Sequence, residues 1–466
     1  MPSTDRIVRP TNQIAQSSEF QRQPYRYLLT WLVILSAQQA DLNPHPEELP
    51  QLSPSEISMK RSLRTILVAP FRLLLEFWWP ILARTHRRCA KKRVLLCADS
   101  RLMVEYASDA AKFIRDDPRV TIALTGPAAK LFGRCMLRDA AAELGYRYVP
   151  YVLARAQWWD LIIFAEYRAA DRYHPDIPKV LVNHFLGGGK IISGKEYRFQ
   201  RDLTHHGRPL FASIFEASEA ERDRAVASDP SLADKLRIVG DLRSDRMLEL
   251  NASRRGIRHA MGFSESDKVV LIQSTWGPQS IMERCGRELM AEAIRLLDEG
   301  KYKFILSTHP HHWHGPRAVQ HPWGKFLLDH ERLGLVVIRP SDDWARFMVA
   351  SDLVVTDNTS LSATYCQLQK PFVFIEIPEN TIPDGSTVHQ LYSISPHFDS
   401  PAHLERAINR SLQSYPYDEL QQISHQVNSA PGQAGERIQR EMYRLLDLPN
   451  DEPPMRDMQG LPAEPQ

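Results

Sequence analysis

The chain has 466 residues, 43% of them hydrophobic and 24% charged, with a formal net charge of +2. That length suits two or three globular domains, and the balanced charge excludes the strongly basic field of a general nucleic-acid binder. Five cysteines (Cys89, Cys97, Cys135, Cys285 and Cys366) are scattered without a CxxC pair, which fits a reducing compartment and leaves no thiolate metal site.

The opening MPSTDRIVRP is not a secretory signal, and residues 1–24 read as a loose polar arm. The first apolar run, Tyr27 to Ala37, is too short for a bilayer crossing, which takes ~20 residues. A linker rich in proline and acidic residues follows at 38–59. The segment from Leu63 to Ala83 contains Arg72, Glu76, Pro70, Pro80 and Trp78-Trp79, and cations bracket it on both sides. Tryptophans at headgroup depth and flanking cations suit a helix lying in a membrane interface, contacting the surface through residues 60–93. A helix buried against the next domain, its ends solvated by basic residues, is the alternative.

From Arg93 the texture is α/β. Strands are expected at Val94–Leu96, Val120–Leu124, Leu161–Phe164, Val180–Val182, Phe211–Glu216 and Leu236–Val239. Helices are expected at Leu102–Ile114 and Ala128–Leu144. A second series runs through strand Val269–Ile272, helix Ile281–Leu297, strands Phe304–Leu306 and Leu335–Ile338, and helix Trp344–Ala350. Such alternation predicts two tandem doubly wound, Rossmann-like domains whose ligands sit at the carboxyl ends of the strands. The expected division is 1–92 for the arm, linker and membrane-associating helices, 93–250 and 251–446 for the two α/β domains, and 447–466 for a disordered tail.

The most informative stretch is Ser351 to Pro378. Leu353–Val355 reads as a buried strand, Asp357-Asn358-Thr359-Ser360 as a polar turn, Leu361–Leu368 as a helix, and Phe372–Ile375 as the next strand. A helix start of this kind directs backbone N–H groups toward an anion.

Other candidates fall just past predicted strands. Asn183 to Lys190 places His184 before three glycines and a lysine, although no Walker spacing is present. Gly240 to Asp245 carries Arg243, with a plain turn as the simpler reading. Thr275 follows the strand at Val269, and His309-Pro310 follows the strand at Phe304. The adjacent His311, His312 and His314 come without a placed carboxylate, so no metal is expected. There is no GxSxG elbow.

In this order the motifs resemble the glycerophosphotransferases that use CDP-glycerol to build teichoic-acid-type polymers. His184 to Lys190 is similar to a His-Gly segment ending in lysine. Gly240 to Asp245 matches Gly-x-Pro-Arg-x-Asp with Leu242 in place of the proline. Ser274-Thr275 resembles a Pro-Thr strand end, and His309-Pro310 a His-Pro pair. Thr356 to Ser360 is similar to Thr-Asp-Tyr-Ser-Ser, and Lys370-Pro371 to the Lys-Pro that follows it. This sequence departs at His-Phe-Leu-Gly-Gly-Gly-Lys and at Trp276-Gly277, where the family carries a basic residue.

The resemblance implies a GT-B fold and transfer of glycerol phosphate, with release of CMP, to a membrane-linked glycan or polyol-phosphate acceptor in the cell envelope. It implies His184 as base, His309 as the group holding or protonating phosphates, and Lys190, Arg243, Thr275, Asn358, Thr359 and Ser360 as donor-binding residues. Asp357 is expected to orient His309 or the loop. No cofactor is implied beyond the donor substrate. The enzyme would work in the cytoplasm, at the inner face of the cell membrane. The alternatives are a GT-B glycosyltransferase or 2-epimerase using a UDP-sugar, and, more distantly, an inactive GT-B scaffold.

Overall fold

The computed structural model describes residues 91–127, 131–167, 169–182, 190–192, 195–197, 203–205, 207–313, 316–340, 342–379 and 381–449. The apolar–basic segment at 60–90 and the expected tail from 450 onward lie outside these residues. Among the described residues no helix is long and apolar enough to cross a membrane.

The chain divides into two compact units. The smaller comprises residues 1–90 and 125–158; its described elements are helices Leu131–Glu143 and Tyr151–Arg155 and the short strand Arg147–Tyr148. The larger, residues 91–124 and 159–466, holds two parallel sheets.

In the first sheet, Lys92–Cys97 lies between Val120–Thr125 on one side and Leu161–Phe164 on the other. Lys179–Val182, Ser213–Glu216 and Leu236–Ile238 extend the latter side, each parallel to its neighbour. Uninterrupted apolar runs such as LIIF at 161–164 are buried throughout, as a strand covered on both faces requires.

The second sheet runs Val336–Val337, Lys303–Thr308, Val269–Ser274, Leu353–Thr356, Phe372–Ile375, His397–Phe398. Its direction reverses at Val269–Ser274, the order of a Rossmann sheet and the position where such sheets bind ligands. Leu271, Ile305, Val354 and Phe374 face one core, while Ile272, Leu306, Val355 and Val373 face the other. Two doubly wound sheets in tandem are therefore present.

Helices over 387–394, 404–413, 417–427 and 434–446 complete the second half. They were not marked out by the strand–helix alternation. The last of them, Ala434–Leu446, reaches back to the first half. Gln439 Nε2 donates to the Phe113 carbonyl (2.7 Å), Tyr443 to Asp117 (2.9 Å) and Arg437 to the Ile238 carbonyl (3.1 Å). Gly435 permits this approach, since a Cβ there would collide with the Phe113 ring.

Candidate functional site

The site is built where Leu353–Thr356 and Val269–Ser274 end side by side. Asp357, the next residue after the first of these strands, is fully buried. Its carboxylate accepts the Ser274 hydroxyl (3.1 Å), the Thr275 N–H (3.0 Å) and the Ile281 N–H (2.9 Å). Ser274 Oγ in turn accepts Met282 N–H (3.3 Å), and Ser280 Oγ accepts Glu283 N–H (3.3 Å). The start of the 18-residue helix Ile281–Asp298 is thus capped by an internal anion and two hydroxyls. Asp357 holds the Thr275 turn and this helix together.

The turn after Asp357 spends its donors locally. Thr359 N–H bonds the Asp357 carbonyl (2.9 Å), Leu361 N–H the Thr359 hydroxyl (3.4 Å), and Ser362 N–H the Thr359 carbonyl (3.2 Å). The helix is also short, Leu361–Tyr365 followed by a 3-10 turn at Cys366–Leu368. This narrows the expectation of a row of open N–H groups: the tight turn already satisfies those of Thr359, Leu361 and Ser362. Ser360, half-buried, lies at the helix start.

What this region offers instead is side-chain oxygen. Asn358 Oδ1, Gln273 Oε1 and Ser362 Oγ are buried without a hydrogen-bond partner among the described residues. Gln273 pairs in register with Ser307 and Thr356, so all three side chains belong to one face of the sheet at its carboxyl end. Leaving a buried polar atom unpaired costs about 1–3 kcal/mol, so each of these oxygens calls for a partner that water or a ligand supplies. Ser362 was not singled out from the sequence; the signal for Gln273 is an amide at the end of an otherwise apolar strand.

His309 starts the 3-10 turn Pro310–His312. Its Nδ1 accepts the His311 N–H at 3.2 Å, so the neutral ring carries its proton on Nε2. Trp276 lies against it, ring centroids 6.1 Å apart, and against His311 at 5.6 Å. Thr275 and Asp357 are therefore in direct contact, and His309 adjoins the residue after Thr275.

Arg243 lies in the first turn of helix Leu242–Asn251, which packs against the Leu361–Tyr365 helix. Its guanidinium lies 3.4 Å from the centroid of Tyr106, on the first-half helix Arg101–Arg115, and 5.1 Å from that of Trp344 in the second half. It has no ion pair within 4 Å among the described residues. Asp241 caps its helix through Ser244 (2.9 Å), and Asp245 accepts the N–H groups of Gly432 (2.6 Å) and Ala434 (3.0 Å). Gly240 has φ +93°, and a Cβ there would stand 2.9 Å from the Ala430 carbonyl oxygen. The Gly240–Asp245 segment therefore joins the two halves. Beside it, Tyr106, Asp109, Val182 and Arg243 line a small cavity. Burial there pushes the Asp109 carboxyl above its ordinary range, with Arg243 pulling the other way.

Val182, which lines this cavity with Arg243, is the last described residue before the glycine-rich segment. His184 itself lies outside the described residues, as does the Lys190 side chain. The Lys190–Ile192 strand forms a hairpin with Lys195–Tyr197, and Ile191 N–H reaches the Thr381 carbonyl of the second half (3.1 Å). Lys370 ends the neighbouring helix, donating to the carbonyls of Met348 (3.2 Å), Val349 (2.7 Å) and Ser351 (2.7 Å). Among the described residues no group of three or more His, Cys, Asp or Glu side chains is arranged to hold a metal ion.

Residues 225–379 match the model of the CDP-Glycerol:Poly(glycerophosphate) glycerophosphotransferase family. No curated protein matches the chain. Among solved structures, the wall teichoic acid polymerase TagF is similar at TM-score 0.58 and 12% identity, covering 84% of this chain and 97% of that one. TagF soaked with CDPG gives 0.54 at 13% identity, with the same coverage. The S. aureus MnaA–UDP structure gives 0.51 at 14%, covering 78% and 99%. At such identities the structures speak to fold alone, while the family model speaks to the segment that carries Arg243, Thr275, His309 and Asn358. The chain has a GT-B-type fold, and its segment 225–379 resembles the glycerophosphotransferase family.

Proposed function

We propose that the chain transfers glycerol phosphate from CDP-glycerol to a hydroxyl of a membrane-linked glycan or polyol-phosphate acceptor, in teichoic-acid-like polymer synthesis. The observation that carries the reading is the set of partnerless buried oxygens on Gln273, Asn358 and Ser362. They lie at the carboxyl end of a Rossmann sheet, within the span matched by the glycerophosphotransferase family. They are suited to accept hydrogen bonds from the hydroxyl and amino groups of a nucleotide donor.

In the reaction, the acceptor oxygen attacks the β-phosphorus and the bond from that phosphorus to the bridging oxygen breaks. CMP departs with the bridging oxygen, and the acceptor's proton passes to a base, the role given to His184. His309, with its proton on Nε2, donates to the phosphate oxygens as charge moves toward CMP. Thr275, Thr359 and Ser360 supply hydroxyls, and Lys190 a cation. Arg243 supports this arrangement from the joint between the halves.

Donor identity is read by thermal shift with CDP-glycerol, CMP, UDP and UDP-sugars, followed by product analysis. Stabilisation by CDP-glycerol and CMP is expected; a response to UDP-sugars alone refutes the cytidine donor. Contact with the inner face of the membrane through residues 60–93 belongs to the same proposal. It is tested by vesicle pelleting of the full chain against a variant lacking residues 25–90, and an unchanged soluble fraction in both removes it.

A further inference from the structure

The turn carrying His309 is fastened by polar contacts of His312 and Glu283. His312 is 3% exposed. Its Nδ1 lies within hydrogen-bond distance of Thr308 Oγ1, and its Nε2 stands 3.5 Å from Glu283 Oε1. Glu283 also accepts Trp323 Nε1–H (3.0 Å) and lies 2.9 Å from His321 Nδ1. It sits in the first turn of the helix that Asp357 caps. Thr308 ends its strand as the register partner of Ser274, one residue before His309.

We infer that Glu283, His312 and Thr308 form a relay that aims the Thr308 hydroxyl at a phosphate oxygen of the donor. Glu283 and His312 act as positioning residues, and the inference rests on the diphosphate-donor reading above. An ionised carboxylate only accepts, so the imidazole nitrogen facing Glu283 carries a proton. The other nitrogen then sets the direction of the Thr308 hydroxyl. When Nδ1 is bare it accepts the Thr308 O–H, and the threonine oxygen turns lone pairs outward, which repel an anion.

When Nδ1 is protonated it donates to Thr308, whose own O–H is released to donate to phosphate. A bound diphosphate favours the second state and draws a proton onto His312, and Glu283 stabilises the resulting imidazolium. The titratable groups around His312 are Glu283, which faces its ring, His321, which lies against Glu283 ahead of the helix Trp323–Glu331, and His309 and His311, earlier on the same turn. Of these only Glu283 is an anion placed against the ring.

The test is titration calorimetry of the full chain with CDP-glycerol at pH 6 and pH 8, in buffers of different ionisation enthalpy. CDP-glycerol has no group of its own titrating there, so proton uptake reports the protein. The wild type is expected to bind more tightly at pH 6 and to take up a proton. Thr308→Val is expected to lose about tenfold or more in affinity and to lose the uptake, with Thr308→Ser restoring both. Glu283→Gln loses the pH dependence, while His321→Ala, which touches Glu283 but not Thr308, keeps it.

Wild-type affinity and uptake in Thr308→Val overturn the relay. Inorganic pyrophosphate at pH 8 separates the two readings. If the wild type binds pyrophosphate but no cytidine nucleotide, and Thr308→Val weakens that binding, the donor assignment fails and the relay stands. If the wild type binds neither, the relay falls as well.

Discussion

The carboxylate of Asp357 lies 2.9 Å from the backbone nitrogen of Ile281, 76 positions earlier in the chain. That contact makes an acidic residue, at first sight unwelcome beside a diphosphate, part of the scaffold. It occupies the positive end of the longest helix of the second half and holds the Thr275 turn at the same time. A buried anion with its donors satisfied is tolerated, and removing it leaves the donors without partners.

Asp357→Ala is accordingly expected to destabilise the fold. Two buried backbone N–H groups lose their acceptor, each at a cost of about 1–3 kcal/mol. Urea unfolding reads the loss directly. A midpoint equal to that of the wild type contradicts the capping role.

His309→Ala should leave stability nearly unchanged, because the ring is half-buried and its Nδ1 bonds within its own turn. Turnover of CDP-glycerol, followed as CMP release, is expected to fall by about 10²–10⁴-fold. Full turnover in a folded variant would remove His309 from the chemistry.

Lys370 predicts a pH dependence of stability. Burial pushes its ammonium down to about 7, from an ordinary value of 10.5. Between those values the unfolded chain holds a proton that the folded chain has released, so this contribution to stability rises with pH across the window. Below about 7 the full cost of the buried charge is present. Lys179, pushed down by burial to about 8, acts in the same direction. Urea midpoints at pH 6.5, 8 and 9.5 should increase, and Lys370→Met should flatten the rise. A wild-type profile falling with pH over this range disproves the assignment.

Arg243→Lys tests the joint between the halves. Lysine keeps the charge but loses the planar stack on Tyr106 and Trp344, worth about 0.5–2 kcal/mol. A loss of stability with an unchanged KM for CDP-glycerol is expected, whereas a raised KM at constant stability would place Arg243 on the donor. Gly240→Ala should destabilise in the same assay by about 1 kcal/mol or more, from its φ of +93° and the Ala430 carbonyl beside it.

Much of the fold was legible because buried parallel strands are written as short β-branched runs. LIIF at 161–164 and LVVT at 353–356 need no partner to be recognised. The ordered motifs around Arg243, Thr275, His309 and Asp357 likewise marked one family from the sequence, since each sits at a strand end whose position the alternation sets. The helices after Thr387 were less legible, because nothing local says that Ala434–Leu446 returns to Phe113.

The division of labour within the site lay beyond the sequence for the same reason. Asp357, Thr359 and Ser360 are neighbours in one polar turn, and only packing shows that the Asp357 carboxylate and the N–H groups of Thr359, Leu361 and Ser362 are already spent. Nothing local gives Gln273, Glu283 or His312 its neighbours; they come together because parallel strands bring their ends into register and one helix starts beside them. Composition and periodicity determined the layers and the strand ends. Which polar groups there are satisfied by the protein itself, and which are left for a ligand, depends on contacts between residues far apart in the chain. Only the tertiary structure decided it.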